Sequence, residues 1–179
     1  MLLMVTWMTA CGSSSALGPG FASTGVTDTC ASGAKWTAGN EESAQMNPGF
    51  ACRSCHLGDN FQGQNPGGEA EPRKAYFFMG TAYSAPHQED LCAAADVPAD
   101  AQVEILDLDG GVRLTMQVNA VGNFYSNSTQ AGVSVPYRAQ VRANGKVNAM
   151  SASQSDGDCN TCHTAAGLNG APGRIFYPQ

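Results

Sequence analysis

Residues 101–118 read AQVEILDLDGGVRLTMQV, and the reading of this stretch decides the fold. Val103 and Ile105 alternate with polar neighbours. After the DLDGG break, Val112, Leu114, Met116 and Val118 alternate with Arg113, Thr115 and Gln117. A two-residue period belongs to a strand with one buried face, because successive side chains leave opposite sides of the pleat. DLDG also matches the opening of a calcium loop. No Glu follows at the required offset, so the break reads as a plain turn between two strands.

The same signal extends outward. Val133, Val135, Tyr137, Ala139 and Val141 alternate in a third run, and AYFFMGTAY (75–83) reads as a fourth. NAVGN (119–123) and ANGK (143–146) punctuate them as turns. Residues 74–148 are therefore expected to form an antiparallel β-sandwich, with Pro136 marking an edge strand or a bulge. On either side, 30–73 and 149–179 are rich in glycine, asparagine and proline and show little periodicity. The expected fold class is mainly β: a sandwich flanked by loop-rich segments with few short helices.

This middle region resembles the carboxypeptidase-regulatory or prealbumin-like sandwiches. The resemblance rests on a strand opening on Gly80 and Thr81, on AQVEILDLDGG, on Gly122-Asn123-Phe124, and on the central Tyr137 of a later strand. It implies a non-catalytic spacer or docking module.

Length and charge narrow the partners. The chain has 179 residues, enough for one core or two small ones, and a net charge of −6. It has no run of lysine or arginine, so nucleic acid is not an expected partner, because phosphate binding needs clustered positive charge.

The flanking segments carry the chemistry. ACRSCHLGDN holds Cys52, Cys55 and His56; GDCNTCHTAAG holds Cys159, Cys162 and His163. Two of the three histidines of the chain thus stand directly behind a Cys-x-x-Cys pair. Three chemistries use this spacing. Covalent haem attachment adds the two thiols to the two haem vinyl groups and gives the adjoining histidine to iron. Zinc ribbons also use Cys-x-x-Cys, but pair their halves roughly 15–20 residues apart, and these copies stand about a hundred apart. A dithiol redox site expects a strand before and a helix after, which neither copy has, and leaves the repeated histidine unexplained. Haem accounts for both copies in full. The chain resembles the small dihaem c-type cytochrome lipoproteins. That resemblance implies two covalently attached haem c groups, with His56 and His163 as the iron ligands on the attachment side.

Lipoprotein enters through the N-terminus. Residues 2–10 are mostly apolar and too few to span a bilayer, which needs about 20. Met8-Thr9-Ala10-Cys11 resembles a lipobox, which implies export and a lipid on Cys11; no basic residue precedes the apolar run. The expected organisation is 1–11 signal and lipobox, 12–29 flexible linker, 30–73 first haem segment, 74–148 sandwich, and 149–179 second haem segment.

Of seven cysteines, Cys11 and the four motif thiols are then assigned. Cys30 and Cys92 are left, and in an oxidising compartment a disulfide between them is the simplest use. The sixth ligands of the irons are open. His87 is the remaining histidine, and a Cys30–Cys92 bridge would hold its loop against the first haem segment. Met46 and Met150 lie in polar surroundings shortly before each motif and are the methionine candidates; gap-filling is the alternative for each. A ligand borrowed from a neighbouring chain would serve equally.

The functional expectation is an electron carrier, not an enzyme. It is placed in the periplasm, on the outer membrane or outside the cell. Its partners are redox proteins or other cytochromes, with self-assembly into a longer conduit as an extension, and it contacts the membrane through its lipid. A peroxidase-like enzyme with one open iron is the rival. A binding module with structural haems is the other.

Overall fold

A computed structural model describes residues 45, 48–52, 77–92, 96–126 and 133–179. The strands are β1 (Met79–Tyr83), β2 (Gln102–Leu106), β3 (Val112–Gln117), β4 (Asn123–Tyr125), β5 (Arg138–Ala143), β6 (Lys146–Ala149) and β7 (Ile175–Phe176). They form a four-stranded sheet in the order β3-β2-β5-β6 and a three-stranded sheet in the order β4-β1-β7.

The expected turns do form. At DLDGG, the Asp107 N–H donates to the Gly111 carbonyl and the Gly110 N–H to the Asp107 carbonyl. The Asp107 carboxylate accepts the Gly111 N–H at 2.8 Å and pairs with Arg113. Arg113 and these backbone donors hold that carboxyl below the usual carboxylate range. Between β5 and β6, Asn144 and Gly145 both have positive φ, +54° and +69°. That is the two-residue hairpin turn whose twist matches the strands it joins.

One core lies between the sheets. Ala82 and Phe124 from the three-stranded sheet pack with Val103, Ile105, Met116, Ala139, Val141 and Ala143 from the four-stranded one. Phe78 meets Tyr137 edge to face at 4.8 Å between ring centroids, a favoured arrangement of ring quadrupoles. On the outer side of β2, Glu104 accepts hydrogen bonds from Gln140 and Arg142. Burial alone would raise its pKa, but these bonds outweigh that and hold it low.

Two local expectations are revised. Of the β3 run, Met116 is buried, Leu114 only half-buried, and Val112 is 48 % exposed, because β3 is an edge strand and Val112 pairs with Leu106 at the hairpin end of the sheet, past a register shift. Pro136 lies on no edge strand. It precedes β5, which is paired on both sides by β2 and β6; a residue without an N–H is kept outside that ladder. Within 74–148 every strand pair is antiparallel, as expected, and the C-terminal segment adds one parallel neighbour. β7 runs parallel to β1, with Ala82 opposite Ile175 and Tyr83 opposite Phe176. A parallel neighbour needs a long crossover, and the chain from Ser84 to Arg174 supplies it.

That last pairing changes the meaning of the C-terminal segment. Tyr137 bridges Gln154, Met79 bridges Asp158, and Tyr177 is buried with its hydroxyl donating to the Ala82 carbonyl at 3.0 Å. Residues 149–179 are thus built into the sandwich and share its core. Among the described residues, no helix is long and apolar enough to cross a membrane.

Candidate functional site

The second Cys-x-x-Cys-His lies along an edge of β1. The Met79 N–H donates to the Gly157 carbonyl, and β7 takes up pairing at Ala82 and Tyr83. Between these points, among the described residues, the motif lies along that side of the strand, and the Thr81 N–H is taken by the Asn160 side chain. Cys159–Thr161 form a single 3-10 turn, with the Cys162 and His163 N–H groups donating to the Cys159 carbonyl. The close approach requires glycine on both sides. A Cβ on Gly157 would lie 1.9 Å from the Phe77 carbonyl oxygen, and one on Gly80 would lie 3.0 Å from the Cys159 Cβ and 2.7 Å from the Phe124 ring.

Cys159 and Cys162 are thiols. Burial, with the Asp158 and Asp156 charges adding to it, pushes the Cys159 thiol up to about 12. His163 Nδ1 lies 2.8 Å from the Gly173 carbonyl oxygen. A carbonyl only accepts, so Nδ1 carries the proton and Nε2 is the nitrogen available to a metal. Burial lowers the His163 pKa, opposed by the Gly173 hydrogen bond, which favours the neutral ring that a metal requires. Among the described residues, no three Cys, His, Asp or Glu side chains gather into a metal-holding group. Two thiols on one turn, with an oriented neutral imidazole behind them, fit haem attachment.

The approach to the first motif meets the second through Asn160. Asn160 stands between the two cysteines of the second motif and is buried. Its Oδ1 accepts the Thr81 N–H at 2.9 Å, so it takes the place of a missing strand partner. Its Nδ2 donates to the Phe50 carbonyl at 2.7 Å and lies 3.7 Å from Cys52 Sγ and 3.1 Å from Thr81 Oγ1. Thr81 Oγ1 accepts the Gly49 N–H at 2.8 Å and donates to Asn123 Oδ1. Residues 49–52 are therefore held against β1 and the second motif by a satisfied polar hub. The Cys52 sulfur sits beside the second motif.

Arg174 makes a second clamp. It is 6 % exposed. Its guanidinium donates to the Gln88 carbonyl at 3.2 Å and the Gly49 carbonyl at 3.4 Å, and lies 4.9 Å from the centre of the Tyr83 ring. Burial pushes the Tyr83 phenol up to about 12 against the opposing Arg174 charge, so the ring stays neutral beneath the cation. His87 sits in the adjoining loop and is exposed, with Nδ1 2.9 Å from the Ala165 carbonyl.

The remaining candidates are spread more widely. Met150 packs against the hydrophobic core, with its N–H on the Ala139 carbonyl. Cys92 is disulfide-bonded. Cys11, Cys30, Met46, Cys55 and His56 lie outside the described residues. Sequence reasoning missed Thr81, Asn160, Gly173 and Arg174. The one signal for any of them was an amide side chain inside a motif whose intervening positions are chemically idle. Compared with protein-family models, curated proteins and solved structures, the chain matches none.

Proposed function

We propose that this chain is a dihaem c-type cytochrome that carries electrons in the cell envelope or outside the cell. The observation that carries the reading is His163, whose Nδ1–H is tied to the Gly173 carbonyl directly behind two thiols of one tight turn. Cys159 and Cys162 would hold one haem and His163 its iron; Cys52, Cys55 and His56 would hold the other. When bound, each group supplies a one-electron iron couple. The protein's part is to orient the imidazole through Gly173 and to keep Cys52 beside the second motif through Asn160 and Thr81. Adjacent sites give an electron a route through one subunit, from one redox partner to the next. The sandwich is the rigid mount, Cys11 the lipid anchor, and Cys30 the disulfide partner of Cys92.

The test is the intact mass of the denatured protein after expression in a host that attaches haem c. The expected gain is two haems per chain, and C159A/C162A retains one of them. A zinc adduct, or a mass with no gain, would overturn the reading. Low-spin spectra of both haems support electron transfer, whereas a high-spin haem in the native protein would point to an enzyme.

A further inference from the structure

The chain holds two Asn-Gly pairs, Asn144-Gly145 and Asn169-Gly170, and folding gives both the same backbone. Asn144 and Gly145 have φ of +54° and +69°; Asn169 and Gly170 have φ of +52° and +88°. Each pair is the centre of a tight turn with two left-handed residues. Ala143 pairs with Lys146 around the first, and the Ala171 N–H donates to the Leu168 carbonyl at 3.0 Å around the second. Asparagine is a thermolabile residue, and a following glycine has no Cβ to shield the backbone nitrogen from the asparagine side chain. That nitrogen, once its proton is lost to water, can attack the side-chain carbonyl carbon. A C–N bond forms and ammonia leaves. Water then opens the succinimide ring, giving aspartate or, through the other ring bond, isoaspartate. One water is consumed for each ammonia released, and no oxidant, metal or partner takes part.

The surroundings of the two turns differ at the attacking nitrogen. The Asp100 carboxylate accepts the Asn144 N–H at 3.0 Å and the Gly145 N–H at 3.3 Å. The bond from Asn144, with that from Gly145, holds the Asp100 carboxyl below the usual carboxylate range. Its negative charge thus stands beside the nitrogen that would have to lose a proton. The attacked side chain is tied down as well, with Asn144 Nδ2 donating to the Pro178 carbonyl at 3.3 Å. Around the second turn, the Gly170 N–H makes no hydrogen bond, and a Cβ built on Gly170 would meet nothing within 4 Å. Asn169 is exposed, and its Nδ2 reaches the Cys162 sulfur, a weak acceptor, at 3.8 Å. We infer that Asn169-Gly170 is a site of spontaneous modification in the native chain, converting to aspartate and isoaspartate while Asp100 protects Asn144-Gly145.

The site lies in the segment that orients His163. The Leu168 N–H donates to the Cys162 carbonyl at 2.9 Å, and a Cβ on Gly167 would lie 2.0 Å from the Ala171 carbonyl oxygen. Gly173 follows, with its carbonyl on His163 Nδ1. Its α-carbon lies against the His87 ring, since a Cβ there would be 3.1 Å from both Cε1 and Nδ1 of His87. Isoaspartate adds a methylene to the main chain of this turn, and the close approach of Gly167 to Ala171 leaves no room for it. The segment from Ala171 to Gly173 must then shift, and the anchor of His163 loosens with it. The inference concerns the chain's own backbone and holds with or without haem.

The experiment ages the full chain in mildly alkaline buffer, native and in denaturant. Both Asn-Gly peptides are followed by mass spectrometry with fragmentation that separates aspartate from isoaspartate. In denaturant the two pairs are expected to convert at similar rates. In the native chain Asn169 is expected to convert at least about tenfold faster than Asn144, the effect of one charge-assisted hydrogen bond that ring closure must break. D100A is expected to close most of that gap. Equal native rates, a slower Asn169, or conversion of Asn169 in denaturant alone overturns the assignment. A gap that survives in D100A overturns the part given to Asp100. Hydrogen exchange reads the consequence: the aged chain is expected to exchange faster at Leu168, Ala171 and Arg174, whose N–H groups close this segment, and aged N169Q is not. Unchanged exchange in the modified chain would overturn the loosening.

Discussion

The two sheets of the sandwich are held together by different means. In the four-stranded sheet, adjacent strands are joined by short turns or by one return crossing, and β2 and β5 show alternating apolar residues to the core. Its order comes from alternation and turn chemistry. In the three-stranded sheet the strands are short, and β7 comes from the far end of the chain. Its middle strand, β1, is buried along its whole length. There the order comes from side-chain polar groups that complete the backbone bonding of β1 and hold two distant segments on it. An alternating strand tolerates conservative change so long as volume and pattern persist. A polar hub fails at single atoms, because a buried donor or acceptor left without its partner costs its full desolvation.

The largest expected effect tests whether the two sheets share one core. Phe124 belongs to the three-stranded sheet but packs among residues of both. F124A is expected to lower unfolding stability by about 3–5 kcal/mol in denaturant titration, with both sheets lost in one transition. Two separate transitions would break the comparison, because the sheets would then be independent units.

A smaller effect isolates the hub. N160A leaves the Thr81 N–H and the Phe50 carbonyl without their amide partner and is expected to cost about 1–3 kcal/mol. Hydrogen exchange should localise the loss: faster exchange at 79–83 and 157–163, with protection of β2 and β5 retained. Uniform acceleration through both sheets would show that the hub supports the whole core rather than the motif side alone.

The smallest effect belongs to the outer side of the four-stranded sheet. The Glu104 carboxyl has its pKa lowered in the folded chain, so its stabilising contribution is present above the unfolded pKa. It disappears as pH falls through the folded value. E104Q should remove that acid-side dependence from the thermal midpoint measured against pH. The difference at neutral pH is expected to be at most about 1 kcal/mol, since Arg142 is 44 % exposed and ion pairs open to water contribute little. An unchanged acid limb in E104Q would mean that the pair with Arg142 and Gln140 adds nothing to stability.

Chain-local features were legible without coordinates. Val103 and Ile105 in one run and Tyr137, Ala139 and Val141 in another reveal strands, because alternation is a property of neighbouring residues. Asn144-Gly145 reveals a hairpin, because its required positive φ is a property of two residues. Cys159-x-x-Cys162-His163 stands out as a motif, because its spacing is a property of five consecutive residues. Val112 misled for the converse reason: alternation marks a face, and only the edge position of β3 exposes it. What remained hidden were the contacts that only folding makes. Asn160 reaches Phe50 across 110 positions of sequence, Arg174 reaches Gly49 across 125, and His87 meets Ala165 across 78. Sequence by itself determined most strand faces, the tight turns and the spacing of the Cys-x-x-Cys-His motifs. Only the tertiary structure decided that β7 closes beside β1, that the approach to one motif rests on the other, and that His87 and His163 converge on Gly173. Periodicity and spacing are written along the chain, whereas a buried polar contact exists only once packing has brought its two atoms within hydrogen-bond reach.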